Sequence, residues 1–187
     1  MLSATPGSWK PTFPERRRAN YHFRPYVGLN LSLGGAGNAG VRSSYSYNGN
    51  YYPADGDYNL GVRPGIEAGF EFRFGRLFGI GPAFRYYGYG FRDTSLIDIL
   101  LTPTFHIPIG MVEIMIPLNV GATFANDKYD ESGSGFVFGV TPGVNLWFVP
   151  SFGLYAQLGL NFHLLVFDSY VSVDYRPMLN SGVTFAF

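Results

Sequence analysis

The chain has no cysteine among its 187 residues. That excludes disulfides, a thiol nucleophile and any zinc site built on thiolates, and it is compatible with an oxidising envelope compartment. Charge is scarce as well: 14% of residues are Asp, Glu, Lys or Arg, against roughly 25% in soluble proteins. The net charge is zero, so nothing argues for bulk nucleic-acid binding. The opening Met1-Leu2-Ser3-Ala4-Thr5-Pro6-Gly7-Ser8-Trp9-Lys10 lacks an apolar core, so a signal peptide is expected to be absent from this chain. Residues 95–125 form a long apolar stretch, but Asp98, His106 and Glu113 interrupt it, as do Pro103, Pro108 and Pro117. Its period is near two, which excludes membrane helices.

What the chain has in quantity is aromatic residues, 18% of the total, and 25 glycines. They fall in an alternating pattern. In one segment Val27, Leu29, Leu31 and Leu33 oppose Tyr26, Gly28, Asn30 and Ser32. In another, Leu154, Ala156, Leu158, Leu160, Phe162 and Leu164 oppose Tyr155, Gln157, Gly159, Asn161 and His163. At the end, Leu179, Ser181, Val183, Phe185 and Phe187 oppose Asn180, Gly182, Thr184 and Ala186. Successive strand side chains point to opposite faces, so each such segment has one apolar face and one small or polar face. Eight segments of this kind can be counted between residues 24 and 187.

The connections alternate in length. Short turns fall near Gly75-Arg76, Pro108-Ile109-Gly110 and Pro150-Ser151; longer polar connections fall near 36–58, 90–95, 125–134 and 168–176. The pattern predicts an all-β, eight-stranded, antiparallel up-and-down transmembrane β-barrel over 24–187. Residues 1–23 are polar, Pro-rich and basic, with Lys10, Arg16, Arg17 and Arg18 against Glu15. They read as a flexible N-terminal tail on the periplasmic side, with a plug or partner-binding arm as the alternative. Pro64, Pro82, Pro103, Pro117 and Pro142 sit inside the expected strands, where proline removes a ladder hydrogen bond. Bulges or kinks at these positions are the expected solution.

The opening Arg24-Pro25-Tyr26-Val27-Gly28-Leu29-Asn30 and the closing Gly182-Val183-Thr184-Phe185-Ala186-Phe187 carry a resemblance. Over residues 24–187 the chain resembles the eight-stranded outer-membrane β-barrels of the OmpA, OmpX and opacity type. In that family Val183, Phe185 and Phe187 would match the C-terminal membrane-insertion signal. The resemblance implies a bacterial outer membrane, contact with its lipid and with the barrel-assembly machinery during insertion, and no cofactor.

The inward face carries the candidate chemistry. It is expected to hold Arg63, Glu67, Glu71, Arg73, Arg85, Asp98, His106, Glu113 and His163. With a turn near Arg76, Glu67 should fall opposite Arg85, within one register step. An eight-stranded barrel is just wide enough for side chains to fill, and buried charges are tolerable when they pair. The inward Gly61, Gly65, Gly69, Gly79 and Gly81 leave room that a narrow polar path through Glu67, Arg85 and Asp98 would need. Neither His106 nor His163 has a serine two residues away, so catalysis is not expected, and His106, His163 and Glu113 lack metal-ligand spacing. Asp55-Gly56-Asp57 and 126–131 lack an EF-hand pattern. Recognition is placed instead on the longest loop, at Tyr45, Tyr47, Tyr51 and Tyr52, with an interfacial aromatic belt as the bland alternative.

The reading is therefore a non-enzymatic barrel with a filled, charge-paired interior that anchors, scaffolds or recognises an envelope or surface partner. The alternatives are a narrow channel for small solutes or ions, and a soluble barrel binding an apolar ligand with its greasy face inward.

Overall fold

A computed structural model describes residues 22–41, 46–47, 50–51, 56–88, 95–126, 132–167 and 170–187. Eight strands make one antiparallel ring. They are β1 (Phe23–Val41), β2 (Gly56–Phe74), β3 (Phe78–Ile80 and Pro82–Tyr87) and β4 (Ser95–Leu101 and Thr104–Ile109). β5 (Val112–Asn126), β6 (Ser132–Val140 and Gly143–Val149), β7 (Phe152–Val166) and β8 (Tyr170–Phe185) complete the ring. Each strand pairs with the next in sequence, and β1 pairs with both β2 and β8, so the sheet has no free side. At the short-turn end the closure is tied by His22 N donating to Phe187 O and Phe187 N donating to Phe23 O.

The stagger of the ring can be read from opposed residues. A path from Tyr26 through Gly69, Ala83, Leu100, Gly121, Val137, His163 and Asp174 returns to β1 at Gly37. The return lands eleven residues along the same strand, an odd offset. Inside–outside alternation closes only on an even one. The odd residue is absorbed by a bulge in β1 between Ser32 and Ala36, where β8 has one residue fewer. Gly34 and Gly35 hold it with φ of 101° and 147°, which side chains rarely adopt. A Cβ on Gly35 would also run into the Tyr175 carbonyl. Gly35→Ala is expected to cost at least about 1–2 kcal/mol in reversible urea unfolding, the scale of a left-handed backbone; an unchanged midpoint would show that the bulge moves freely.

The mid-strand prolines fall on one diagonal line. Strand pairing is interrupted at Gly81, at Thr102-Pro103 and at Thr141-Pro142, while Pro117 lies within the continuous β5 opposite Thr104. One backbone bond bridges each step of this line. Thr102 N donates to Gly81 O at 2.8 Å, Leu118 N to Pro103 O at 2.8 Å, Thr141 N to Pro117 O at 3.1 Å and Leu158 N to Pro142 O at 2.9 Å. Proline has no N–H to waste at a kink, and Pro82 and Pro142 are exposed, so their rings extend the outer apolar wall. Pro64 stays in register within β2, opposite Leu31, with its carbonyl accepting from Gly88 N at 3.0 Å.

Three connections are shorter than the sequence suggested, and the one expected over 125–134 shrinks to 127–131 between β5 and β6. β1 continues to Val41 and β2 begins at Gly56, so the connection expected over 36–58 shrinks to 42–55, around a small ladder of Ser46 with Tyr51 and Tyr47 with Asn50. β8 begins at Tyr170, so 170–176 is strand and not loop. The charged Asp174 and Arg176 look like solvated loop residues in sequence; they face the lumen, while Val173 and Tyr175 face out.

The apolar face is outside. Leu158 is 58% exposed and Phe136 69%. Val27, Leu29, Ile66, Ile99, Leu101 and Val120 stand out in the same way. The alternative with the greasy face inward is thereby overturned: Leu154, Leu158, Phe185 and Phe187 are exposed, and the enclosed face is polar. A continuous apolar band of this extent around a closed sheet is the surface that a bilayer covers.

Candidate functional site

The inward positions of all eight strands meet in one packed column. Arg63, Glu67, Glu71, Arg73, Arg85, Asp98, His106, Glu113 and His163 are all buried there, Glu67 to 1% exposure. All of these but Arg63 fall into three groups along the axis.

Nearest the short turns, Arg24 donates to Glu71 Oε2 at 2.9 Å, and His106 lies between two carboxylates, with Nε2 3.0 Å from Glu71 Oε1 and Nδ1 3.4 Å from Glu113 Oε1. Arg73 pairs with Glu113 and also donates to the Arg76 carbonyl at 3.0 Å. Glu113 Oε2 accepts from Asn145 at 3.1 Å and from the Trp147 ring N–H at 3.2 Å. Trp147 is buried beside Ala186 at this end.

In the middle, Glu67 stands directly opposite Arg85, whose Nε donates to Glu67 Oε2 at 2.9 Å. The Tyr155 hydroxyl crosses from β7 to donate to Glu67 Oε1 at 2.6 Å. Arg85 also donates to Asn119, which in turn donates to Thr141 and Asn161. The inward glycines are the sockets for these large groups. The Tyr155 hydroxyl lies where a side chain on Gly28 would be, the Tyr26 ring against Gly69, and the Glu71 carboxylate against Gly79. The space that glycine leaves is therefore occupied by side chains of nearby strands: Tyr26 stands opposite Gly69, Glu71 lies on the strand paired with Gly79, and Tyr155 comes from two strands beyond Gly28. A void of about 10 Å³ remains beside Arg24, Arg85, Thr102 and Tyr155, room for one water at most.

Toward the long connections, His163 Nε2 lies 3.1 Å from Asp98 Oδ2, reaching from β7 across to β4. Arg176 donates to Asp174 at 2.7 Å, and Ser172 donates to the same carboxylate at 2.7 Å. An apolar cluster of Tyr87, Leu96, Ala125, Leu165, Phe167 and Met178 covers this group.

The two histidines thus belong to different groups, and His163 does not converge with His106 and Glu113. Arg24 and Tyr155 supply partners for Glu71 and Glu67 that the sequence left open, and Asp174 and Arg176 form a pair of their own within the expected 168–176 connection. Arg24 shares the parity of Tyr26 and Gly28, so the alternation itself was the signal that could have found it. Of the loop tyrosines, Tyr45 and Tyr52 lie outside the described residues, and only the backbone of Tyr47 and Tyr51 is described. The tail 1–21 lies outside them as well.

A closed eight-stranded antiparallel ring, apolar outside and filled with paired charges, defines a small outer-membrane-type β-barrel. Comparison with solved structures agrees. The Neisserial surface protein A matches with a TM-score of 0.59 at 18% identity, over 87% of this chain and 97% of that one. The outer membrane protein OprG from Pseudomonas aeruginosa matches with a TM-score of 0.54 at 10% identity, over 89% and 96%. Ail, the attachment invasion locus protein of Yersinia pestis, aligns over 86% of this chain and 98% of its own at 16% identity, with a TM-score of 0.41. No protein-family model matches the sequence, and no curated protein matches it. The chain has the fold of the eight-stranded outer-membrane barrels, with buried charge pairs inside.

Proposed function

We propose that this chain is a non-enzymatic protein of the bacterial outer membrane, held there by its wall and acting through its long connections. It anchors or scaffolds, and its surface loops recognise an envelope protein, a cell or a surface. The observation that carries the reading is the filled interior: Tyr155, Glu67 and Arg85 bond across the full width of the lumen, and Trp147 lies buried at one end. Beside Arg24, Arg85, Thr102 and Tyr155 the remaining void of about 10 Å³ is too small for a substrate or a solute, which directs attention to the loops as the variable, accessible part. Tyr45, Tyr47, Tyr51 and Tyr52, set among Gly, Ser and Asn, supply aromatic contact area with adaptable neighbours.

Two measurements test it. In planar bilayers the purified protein should be electrically silent; steps in current that Glu67→Ala or Arg85→Ala changes would establish the narrow channel instead. Bacteria displaying a variant with all four tyrosines replaced by serine should lose the adhesion that the wild type confers, with the barrel still inserted. Unaltered adhesion would sink the recognition role.

A further inference from the structure

The outer wall breaks its apolar pattern at one place. Among the outward strand residues whose side chains are described, polar groups sit at the long-connection end, as Asn126, Ser132 and Ser134, or on the rings of Tyr86 and Tyr175. The exception is Ser181 on β8, exposed between Leu179 and Phe185. It stands opposite Leu29 on β1 and Ala156 on β7. Its hydroxyl makes no hydrogen bond among the described residues. Ser181 lies six residues before Phe187, which is tied to Phe23 at the short-turn rim. That is about 15 Å up the wall for a strand rising ~3.3 Å per residue at a tilt of about 40°. The apolar band of such a barrel is about 25 Å tall, so the hydroxyl lies near its middle. Hydrocarbon offers it no acceptor there, and a hydroxyl without a partner in an apolar medium is costly.

Beside it the wall is also incompletely filled. A groove of about 300 Å³ opens over β1, β2 and β3, lined by Val27, Leu29, Ile66 and Phe84 around the small Ala68. Leu29 belongs to both features: it lines the groove and faces Ser181 across the strand pair. Acyl chains can fill an apolar groove, but they cannot satisfy Ser181. A protein surface can do both, and this face supplies one. A hydroxyl donates and accepts, so a two-fold axis at Ser181 lets the same residue of two copies serve as partner to itself. Within lipid, segments are held together by close packing at small residues and by hydrogen bonds from side chains such as serine; Ala156 and Ser181 are a pair of that kind.

We propose that the face of β7, β8, β1 and β2 centred on Ser181 is where two copies of this chain associate within the membrane, Ser181 hydrogen-bonding to its counterpart. The inference rests on the lipid-facing reading of the wall.

The chain has no cysteine, so Ser181→Cys introduces a single thiol. In lipid vesicles with an oxidant, the full chain carrying it is expected to form a disulfide-linked dimer, because a two-fold contact brings the two thiols within bonding reach. Ile99→Cys, exposed on β4 at the opposite side of the ring, should stay monomeric at the same lipid dilution. Equal cross-linking of the two variants would overturn the inference. A second readout leaves Ser181 in place. Copies labelled at Arg76→Cys, in an exposed turn, should show energy transfer that falls on dilution with lipid. Adding Ser181→Ala should weaken their association by about threefold or more, the loss of one hydrogen bond within the membrane. Energy transfer no greater than random encounter, or unchanged by Ser181→Ala, would leave the face to lipid and overturn the inference. So would a Ser181→Cys chain that cross-links in cells to a different protein and not to itself. A heat-dependent gel shift of the same samples reports the barrel separately, so failure of the contact and failure of the barrel reading are distinguishable.

Discussion

Glu67→Ala is expected to destabilise the barrel by about 3–5 kcal/mol, the cost of stranding one member of a buried ion pair. The substitution leaves the Arg85 guanidinium, 2% exposed, without its carboxylate. It also strips the Tyr155 hydroxyl of its acceptor, and a buried hydroxyl without a partner costs about 1–3 kcal/mol by itself. Because both losses follow from one absent carboxylate, the double variant Glu67→Ala/Arg85→Ala should cost clearly less than the sum of the two single changes. Urea unfolding in micelles, with the full double-mutant cycle, measures this. A single-variant cost below about 1 kcal/mol would place Glu67 in contact with water and open the lumen.

Leu158→Arg should cost about 2–4 kcal/mol in a bilayer, the price of a cation on the lipid face near the midplane. Leu158 sits halfway along β7, opposite Leu179 on β8, with 58% of its surface exposed. The same change at a solvated surface position stays within about 0.5 kcal/mol. The magnitude therefore decides what the exposed wall touches. Reversible unfolding from lipid vesicles is the measurement, and a cost under about 0.5 kcal/mol would mean that water, not lipid, covers β7.

Period-two alternation carried most of the architecture. It gives the strand count, the outer wall and the inward set, because inside–outside parity is a local property of each strand. The Glu67–Arg85 pair was legible for the same reason: a tight turn near Arg76 fixes the register of β2 on β3. Partners across the lumen were not. Tyr155 reaches Glu67 from 88 positions away, and His163 reaches Asp98 across 65; sequence spacing holds no trace of which strands face each other through the barrel. The strand ends were also hidden. Asp174 and Arg176 carry the polarity of a loop, and their ion pair, with the Ser172 hydroxyl donating to Asp174, makes their burial tolerable. The inward glycines pointed toward open space when read singly. Their meaning depends on Tyr26, Glu71 and Tyr155 arriving from other strands to fill that space.

The central claim is that the apolar wall faces lipid around a closed ring. Gel mobility of the full chain refolded in detergent micelles, unboiled against boiled, tests it most directly. The account predicts a heat-dependent shift, with β-type circular dichroism that persists in detergent and is lost without it. A folded chain that stays soluble in plain buffer and migrates identically before and after boiling would contradict it.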